Sequence, residues 1–477
     1  MWTRFSHTLA DHPIWLLCLA AIIFLALGFS QDGINLDSTT YSVVARNMAE
    51  HNNWFNPSYT AFYHLQFAEH PPLVMWAQAL IFLLFGASDP TARLFGALCT
   101  FGSIIFVYLL GKEIKSKALG FIAGLVLLLT YNFMQQGNST LLDVPMTCFI
   151  LAVLWGMARL EKGTASPALC VATGLALAGA FLSKGLVSAP VWIALVFTAL
   201  FLRRDWLKMS RFWLIPVAAV SVIAFYLFLD LLYSNGRFTT YYFATQVWSR
   251  FLGESPEVST RWYEFIYRFV KLYLPFVILL PVGLYMTFRR NLLLLYPTAV
   301  TLLFYFLFYS TAAKLYYHYF CPAYALAALF VALPIARLLS PRAIRLVSIW
   351  FSVIWLALAI AVTVADVRIH EIRGQAVYSL TESMQQFLSD KPSRQGLMVS
   401  PGQPDWDYVA KTSWYWRSDI KQTAYAFRAL KALRMDESFS YILVRRSHGE
   451  AIRELAEAGL VEVIHNDDLA VYSPADR

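Results

Sequence analysis

Residues 14–29 read Ile14-Trp15-Leu16-Leu17-Cys18-Leu19-Ala20-Ala21-Ile22-Ile23-Phe24-Leu25-Ala26-Leu27-Gly28-Phe29, a run without a single charge. An apolar helix of this kind crosses the ~30 Å hydrocarbon core of a bilayer. No small-residue cleavage site follows it, so it reads as a permanent span and not a removed leader. Just beyond it lies Asp37-Ser38-Thr39-Thr40-Tyr41, and further on Glu69-His70-Pro71-Pro72-Leu73. A carboxylate held at the edge of a span, ahead of an acidic-His-Pro-Pro turn, points to chemistry at a membrane surface.

The whole chain supports a membrane setting. Of its 477 residues 58% are hydrophobic and only 14% charged, with mean hydropathy +0.53; soluble proteins carry about 25% charged residues. Long apolar runs without alternation favour helices over a barrel, the two structures that satisfy their backbone in lipid. The net charge of +8 is uneven: up to Ala365 there are 24 Lys/Arg against 14 Asp/Glu, and beyond it 14 against 16. The basic excess belongs to membrane-flanking loops and implies no nucleic-acid partner. The five cysteines, Cys18, Cys99, Cys148, Cys170 and Cys321, lie in apolar segments without CxxC spacing and read as core residues.

Five short basic loops, around Lys112–Lys117, Arg159–Lys162, Arg203–Arg211, Arg289–Arg290 and Arg337–Arg345, face the cytoplasm under the positive-inside rule. Helix pairs connect them: 118–137 with 144–160, 167–183 with 185–202, 211–233 with 268–288, and 291–311 with 314–337. A last helix, 343–364, leads out. Parity holds when Pro71–Gly86 lies along the outer interface, or dips in as a re-entrant hairpin, without crossing. The expected fold is an α-helical integral membrane protein with about 11 transmembrane helices and outer juxtamembrane helices. Residues 1–365 form the transmembrane domain, with outer loops 31–70, 138–143 and 234–267. Residues 366–477 form a small α/β domain on the outer side: a helical pattern over 366–390, strands at Gly396–Pro401, Gln422–Phe427, Tyr441–Val444 and Leu469–Tyr472, and a helix over Ser447–Ala458.

This topology gathers Asp37, Glu69, His70, Asp143, Lys184, Arg250, Lys314 and His318 on one side. Each has a plainer reading. Asp37 and Asp143 stand where helix N-caps belong. Lys184 and Lys314 sit where lysines extend to lipid headgroups. The prolines after His70 fix a turn and start a helix. Asp230 is structural, or pairs with one of the cations. Together, however, the set has a chemical logic. Carboxylates deprotonate an acceptor hydroxyl, while lysines and arginines hold a phosphate and stabilise it as it leaves. Glu69 with His70 also suits a divalent metal or a proton relay, although the sequence does not require a metal. No phosphate-cradling glycine pattern for a soluble nucleotide is present.

These residues resemble a known family. Asp37 with Tyr41 and Arg46, Glu69-His70-Pro71-Pro72-Leu73, Asp89-Pro90-Thr91-Ala92-Arg93-Leu94, Leu142-Asp143-Val144-Pro145, Ser183-Lys184-Gly185 and Lys314…Tyr319…Pro322 follow the order seen in GT-C glycosyltransferases. The branch most similar is that of the bacterial aminoarabinose transferases and the protein O-mannosyltransferase-like enzymes. The resemblance covers roughly residues 10–340. It implies an inverting transfer of a sugar from a polyprenyl-phosphate (undecaprenyl-phosphate) carrier, at the outer face of a bacterial inner membrane, to a lipid-linked acceptor such as lipid A, another glycan, or a protein. Asp37 matches the catalytic Asp and Asp143 the second acidic position. Lys184, Lys314, Arg250 and Arg46 are placed to bind donor phosphate. Tyr41, Glu69, His70, His318 and Tyr319 are placed to contact substrate, with Glu69 as a candidate metal ligand. Three departures stand out. His70 replaces a Lys of the aminoarabinose branch, Val247 replaces a His three residues before Arg250-Phe251, and the tail is short for that branch.

The alternative from another class is a polytopic lipid or solute transporter with an extracytoplasmic domain. It calls for polar residues near mid-membrane on broken helices, whereas these cluster at one face. A non-catalytic scaffold for the tail leaves the clustered acids and lysines unexplained.

Overall fold

The structure, a computed structural model, describes residues 14–29, 34, 36–63, 66–248, 261–312, 315–339, 343, 346, 350, 377, 379–391, 394–399, 406–423 and 439–474. The chain divides into two compact units. One takes Met1–Ser30, Ala68–Ile81 and Pro90–Val367; the other takes Gln31–Phe67, Phe82–Asp89 and Arg368–Arg477.

The first unit is helical. Its most enclosed element is Cys321–Leu338, buried on every side from Cys321 to Pro334. Five buried alanines along it, Ala323, Ala325, Ala327, Ala328 and Ala332, let neighbouring helices approach closely. It packs against Lys117–Leu128, Asp143–Glu161 and Leu280–Arg289. At the last of these the backbones nearly touch: a Cβ on Gly283 would lie 1.9 Å from the Phe330 carbonyl oxygen. Pro167–Lys184 packs between Asp143–Glu161 and Ser210–Ser234, and Ala189–Phe197 packs on Tyr296–Tyr309. Ser210–Ser234 leaves Trp213, Val217, Val220, Phe225, Phe228 and Leu231 exposed, the apolar outer face that lipid requires.

Among the described residues, five helices are long and apolar enough to cross a membrane, or seven when each of two bent pairs is one span. The bent pairs are segments the sequence presents as straight helices. The expected helix 118–137 is Lys117–Leu128 and Tyr131–Gly137, at 74°; the expected helix 268–288 is Glu264–Leu272 and Phe276–Arg289, at 109°. Pro275, which has no N–H to donate, sits at the second break. Leu73–Phe85 has 13 residues, about 20 Å of helix and shorter than a hydrocarbon core. The expected helix 343–364 and most of 366–380 lie outside the described residues. The five cysteines are free, four buried and Cys148 partly so.

The second unit carries a five-stranded sheet in the order β2-β1-β3-β5-β4. Its strands are β1 (Gln395–Val399), β2 (Asp419–Thr423), β3 (Phe439–Arg445), β4 (Leu460–His465) and β5 (Leu469–Pro474). β1 runs parallel to β2 and β3, while β5 runs antiparallel to β3 and β4. The central strand β3 is buried along nearly its whole length, as Phe439-Ser440-Tyr441-Ile442-Leu443-Val444 allows. At the edge, β4 is mostly exposed and carries Glu462 and His465, which discourage further pairing. Leu455 of the helix Gly449–Glu457 joins Leu397, Val399, Ile442, Val444 and Tyr472 in the core.

Of residues 31–67, expected as an outer loop of the transmembrane domain, the described ones group with this second unit. The helix Leu36–His51 is held there by Arg46, whose Nη1 donates to the Ser413 carbonyl at 3.0 Å and the Trp414 carbonyl at 3.2 Å. The Ala61 amide donates to Asp419 Oδ2 at 2.8 Å, and Phe62 stacks on Phe439. Asp89 accepts from Trp414 Nε1 and the Tyr415 hydroxyl at 2.9 and 3.0 Å.

Candidate functional site

Asp143 is the first residue of the helix Asp143–Glu161, and Lys184 the last of Pro167–Lys184. The two helices pack together, and the two side chains meet where they do so. Lys184 Nζ donates to Asp143 Oδ2 at 2.5 Å, with side-chain exposures of 6% and 1%. Both plainer readings give way here. Leu142 holds the cap position without a side-chain cap, so Asp143 does not cap its helix. Lys184 is buried and does not reach for headgroups. A lone carboxylate or ammonium in such a place is prohibitively costly, and each is tolerable only because it neutralises the other.

Two aromatic groups from the turn Tyr317–Phe320 complete the cluster. The Tyr319 ring lies beneath Lys184 Nζ at 4.4 Å, a cation–π contact. His318 Nε2 stands 3.8 Å from the same Asp143 oxygen. His318 is stacked on Tyr316 with rings 5° from parallel and meets Tyr319 edge-on at 4.7 Å. Lys184 and His70 are its basic neighbours. Tyr319 is fixed from behind by a column of rings: Tyr309 at 5.0 Å, then Phe265 at 5.1 Å, then Phe320 at 4.5 Å. Such pairs contribute about 0.5–1.5 kcal/mol each beyond their buried area.

The backbone after Lys184 is shaped by Gly185 of the Ser183-Lys184-Gly185 motif together with Tyr242, a residue the sequence did not single out. Gly185 has φ +65°, and a Cβ there would sit 2.0 Å from the Tyr242 hydroxyl oxygen. That hydroxyl accepts from the Leu186 amide at 2.8 Å. Tyr242 stacks on Phe238 at 5.1 Å. The segment carrying both is tied to Asp230, whose carboxylate accepts from the Phe238 and Thr239 amides at 3.1 and 3.0 Å and from Thr239 Oγ1 at 2.8 Å. Asp230 thus spends its acceptors on a turn of backbone and pairs with no lysine among the described residues. A carboxylate inside an apolar helix was the visible signal; Tyr242, in an aromatic run, offered none.

Of the expected site residues, the structure brings Asp143, Lys184, His318, Tyr319 and His70 together in the first unit. Glu69, also in that unit, faces Tyr241, whose phenol is pushed up by burial and by the Glu69 charge. Asp37, Tyr41 and Arg46 belong to the second unit. Asp37 is partly buried in the first turn of Leu36–His51, one residue inside its start. Tyr41 packs edge-on against Phe67 at 6.3 Å. Arg46 is buried, and its pKa is pulled down to about 10 by that burial, against the opposing pull of Glu50. Its guanidinium is engaged with the backbone carbonyls of Ser413 and Trp414. Arg250 and Lys314 lie outside the described residues. Among those described, no group of three or more His, Cys, Asp or Glu side chains converges as a metal site would require. Glu69 and His70 thus gain no third described partner of those kinds for a cation.

The chain is similar to several known proteins. Residues 69–229, which include Glu69, His70, Asp143 and Lys184, match the family described as dolichyl-phosphate-mannose-protein mannosyltransferase. The chain is 21% identical over 260 residues, 54% of its length and 46% of the relative's, to undecaprenyl phosphate-alpha-4-amino-4-deoxy-L-arabinose arabinosyl transferase 2 of Proteus mirabilis. It is 26% identical over 287 residues, 58% of its length and 51% of the relative's, to the transferase 1 of the same description from Pseudomonas fluorescens. The chain therefore spans about half the length of the curated relatives it matches. The crystal structure of ArnT from Cupriavidus metallidurans bound to undecaprenyl phosphate superposes with a TM-score of 0.73 at 17% identity, covering 96% of this chain and 97% of that one. The fold is that of GT-C membrane glycosyltransferases. In sequence the chain resembles the aminoarabinose transferases.

Proposed function

We propose that this protein is an inverting glycosyltransferase that moves a sugar from a polyprenyl-phosphate carrier, undecaprenyl phosphate in a bacterial inner membrane, to an extracytoplasmic acceptor. The observation that carries this reading is the buried Asp143–Lys184 pair with His318 and Tyr319, on helices of a GT-C fold. In the reaction, an acceptor oxygen attacks the anomeric carbon opposite the carrier phosphate. The bond from that carbon to the phosphate oxygen breaks, the electron pair leaves with the phosphate, and the configuration inverts. Lys184 stabilises the departing phosphate, with Lys314 and Arg250 as further cations. Asp143 keeps Lys184 charged and aimed in an apolar setting, and Tyr319 fixes it from the ring face. Asp37 takes the proton of a hydroxyl acceptor, or positions the acceptor when it is itself a phosphate and has no proton to lose. Glu69, His70, His318 and Tyr41 contact the sugar or acceptor.

About 11 helices cross the membrane in this reading, with the site and residues 366–477 on the periplasmic side, as the basic loops require. The acceptor is a lipid-linked glycan such as lipid A, in keeping with the likeness to aminoarabinose transferases, or a protein. Comparing the glycolipids of a strain lacking the gene with its parent by mass spectrometry tests this. Loss of one sugar from one glycolipid, restored by the wild-type gene and not by Lys184→Met, is the expected result. Unchanged glycolipids and glycoproteins would remove the assignment.

A further inference from the structure

The second unit holds a pocket of about 520 Å³ of its own, formed where the helix Leu36–His51 and the loop after it meet β1, β2 and the turn before β2. Its lining is polar almost throughout: among the described residues Ala61 is the single apolar contributor. A lipid tail or a nucleobase needs an apolar wall, and this pocket offers none. Three guanidinium groups, from Arg46, Arg394 and Arg417, face two carboxylates, Glu50 and Asp419.

Among the described residues the positive charge is incompletely answered. Glu50 serves two arginines, with Oε1 3.2 Å from Arg417 Nη1 and Oε2 3.9 Å from Arg46 Nε, the latter beyond hydrogen-bond reach. Asp419 Oδ2 accepts from the Ala61 amide. Arg394 is exposed and has no carboxylate partner among the described residues, while Ser418 Oγ anchors its backbone carbonyl. Arg46 is answered mainly by carbonyl dipoles, and the neighbouring Arg417 charge adds to the fall in its pKa. Arg417 also sits at φ +52°, a left-handed conformation that costs a non-glycine residue stability and persists where surrounding structure enforces it.

We propose that this pocket is a binding site for an anionic saccharide, a mono- or disaccharide bearing one phosphate or carboxylate group. Arg394 and Arg417 grip the acidic group, and Glu50, Asp419 and Asn47 line the wall that meets hydroxyls. The mixture fits that ligand: guanidinium forks suit a planar or tetrahedral oxyanion, and carboxylates beside amides suit hydroxyls, which both donate and accept. The volume falls in the range of small-molecule sites, ~300–1,000 Å³. The site lies wholly within one unit and does not depend on the transfer reading.

Isothermal titration of the full chain in detergent with glucosamine 1-phosphate, glucuronate, glucose and inorganic phosphate tests the proposal. One or both acidic sugars bind at least about tenfold more tightly than glucose and than inorganic phosphate, and the tighter of the two names the acidic group. Arg417→Gln weakens that binding by about tenfold, the equivalent of one charge-assisted hydrogen bond. Arg417→Gly relieves the backbone and removes the charge, so it loses binding while the fold is kept. Lys184→Met, in the other unit, binds as the wild type does, even where it abolishes sugar transfer. Equal affinity for glucose, equal affinity for phosphate alone, or affinity untouched in both Arg417 variants overturns the proposal.

Discussion

The Asp143–Lys184 pair makes a quantitative prediction. Both side chains are almost wholly enclosed, and Nζ stands 2.5 Å from Oδ2. Lys184→Met keeps the stem and deletes the charge, leaving the Asp143 carboxylate buried without its ammonium partner, with His318 Nε2 3.8 Å away. Breaking a buried pair in this way costs about 3–5 kcal/mol, because an uncompensated charge stays behind. Asp143→Asn strands the ammonium over the Tyr319 ring and costs a similar amount. The double variant Asp143→Asn/Lys184→Met strands neither charge and therefore recovers most of the loss. The interaction energy from the double-mutant cycle is about 2 kcal/mol or more. Unfolding of the four proteins in mixed micelles, followed by tryptophan fluorescence, measures it. All three variants lose transfer activity, including the double variant that regains stability. If the single changes each cost under about 1 kcal/mol and the double equals their sum, the pair behaves as a surface ion pair and the reasoning fails.

Three further outcomes follow from particular contacts. Gly185→Ala forces a Cβ against the Tyr242 hydroxyl at a left-handed backbone position; it costs about 1–3 kcal/mol and lowers the transfer rate, whereas Tyr242→Phe, which loses one hydrogen bond, costs about 1 kcal/mol. Arg46→Met leaves the Ser413 and Trp414 carbonyls without their donor and costs about 1.5–3 kcal/mol, read as faster hydrogen exchange across 406–416; Arg46→Lys restores little, since it lacks the fork that reaches both carbonyls. Asp230→Asn presents an amide N–H₂ to one of the backbone donors that the carboxylate now accepts, costs about 1–2 kcal/mol, and loosens the segment that carries Tyr242, so kcat falls with it.

Much of this architecture was legible in the sequence because lipid imposes simple rules. Apolar runs mark the helices, and the apolar strand sequences around Leu397 and Ile442 mark the sheet. What escaped has physical causes. Residues 31–67 look like a loop between spans, and contacts of Ile34, Arg46, Glu50, Ala61 and Phe62 with partners more than 350 residues away reveal that the described ones among them fold with the tail. The edge strand Leu460–His465 was missed because its exposed charges hide the alternation. The helical stretch 406–416 was missed because its aromatic and polar residues lack an amphipathic period. In the site, Asp143, Lys184, His318 and Tyr319 were readable because charges beside apolar spans are expensive and rarely idle. Arg46 was assigned to donor phosphate on the strength of its place in a motif; its bonds to two backbone carbonyls depend on a turn that local sequence does not announce.

The central claim is that this protein cleaves a sugar from its carrier. Purified protein in liposomes, supplied with a radiolabelled undecaprenyl-phosphate sugar and a bacterial lipid extract as acceptor, tests it most directly. Label is expected to move to an acceptor in step with the release of undecaprenyl phosphate, and Asp37→Asn, still folded, to slow this by about 10²–10⁴-fold. Labelled carrier that stays intact, or that crosses the bilayer without losing its sugar, would contradict the claim.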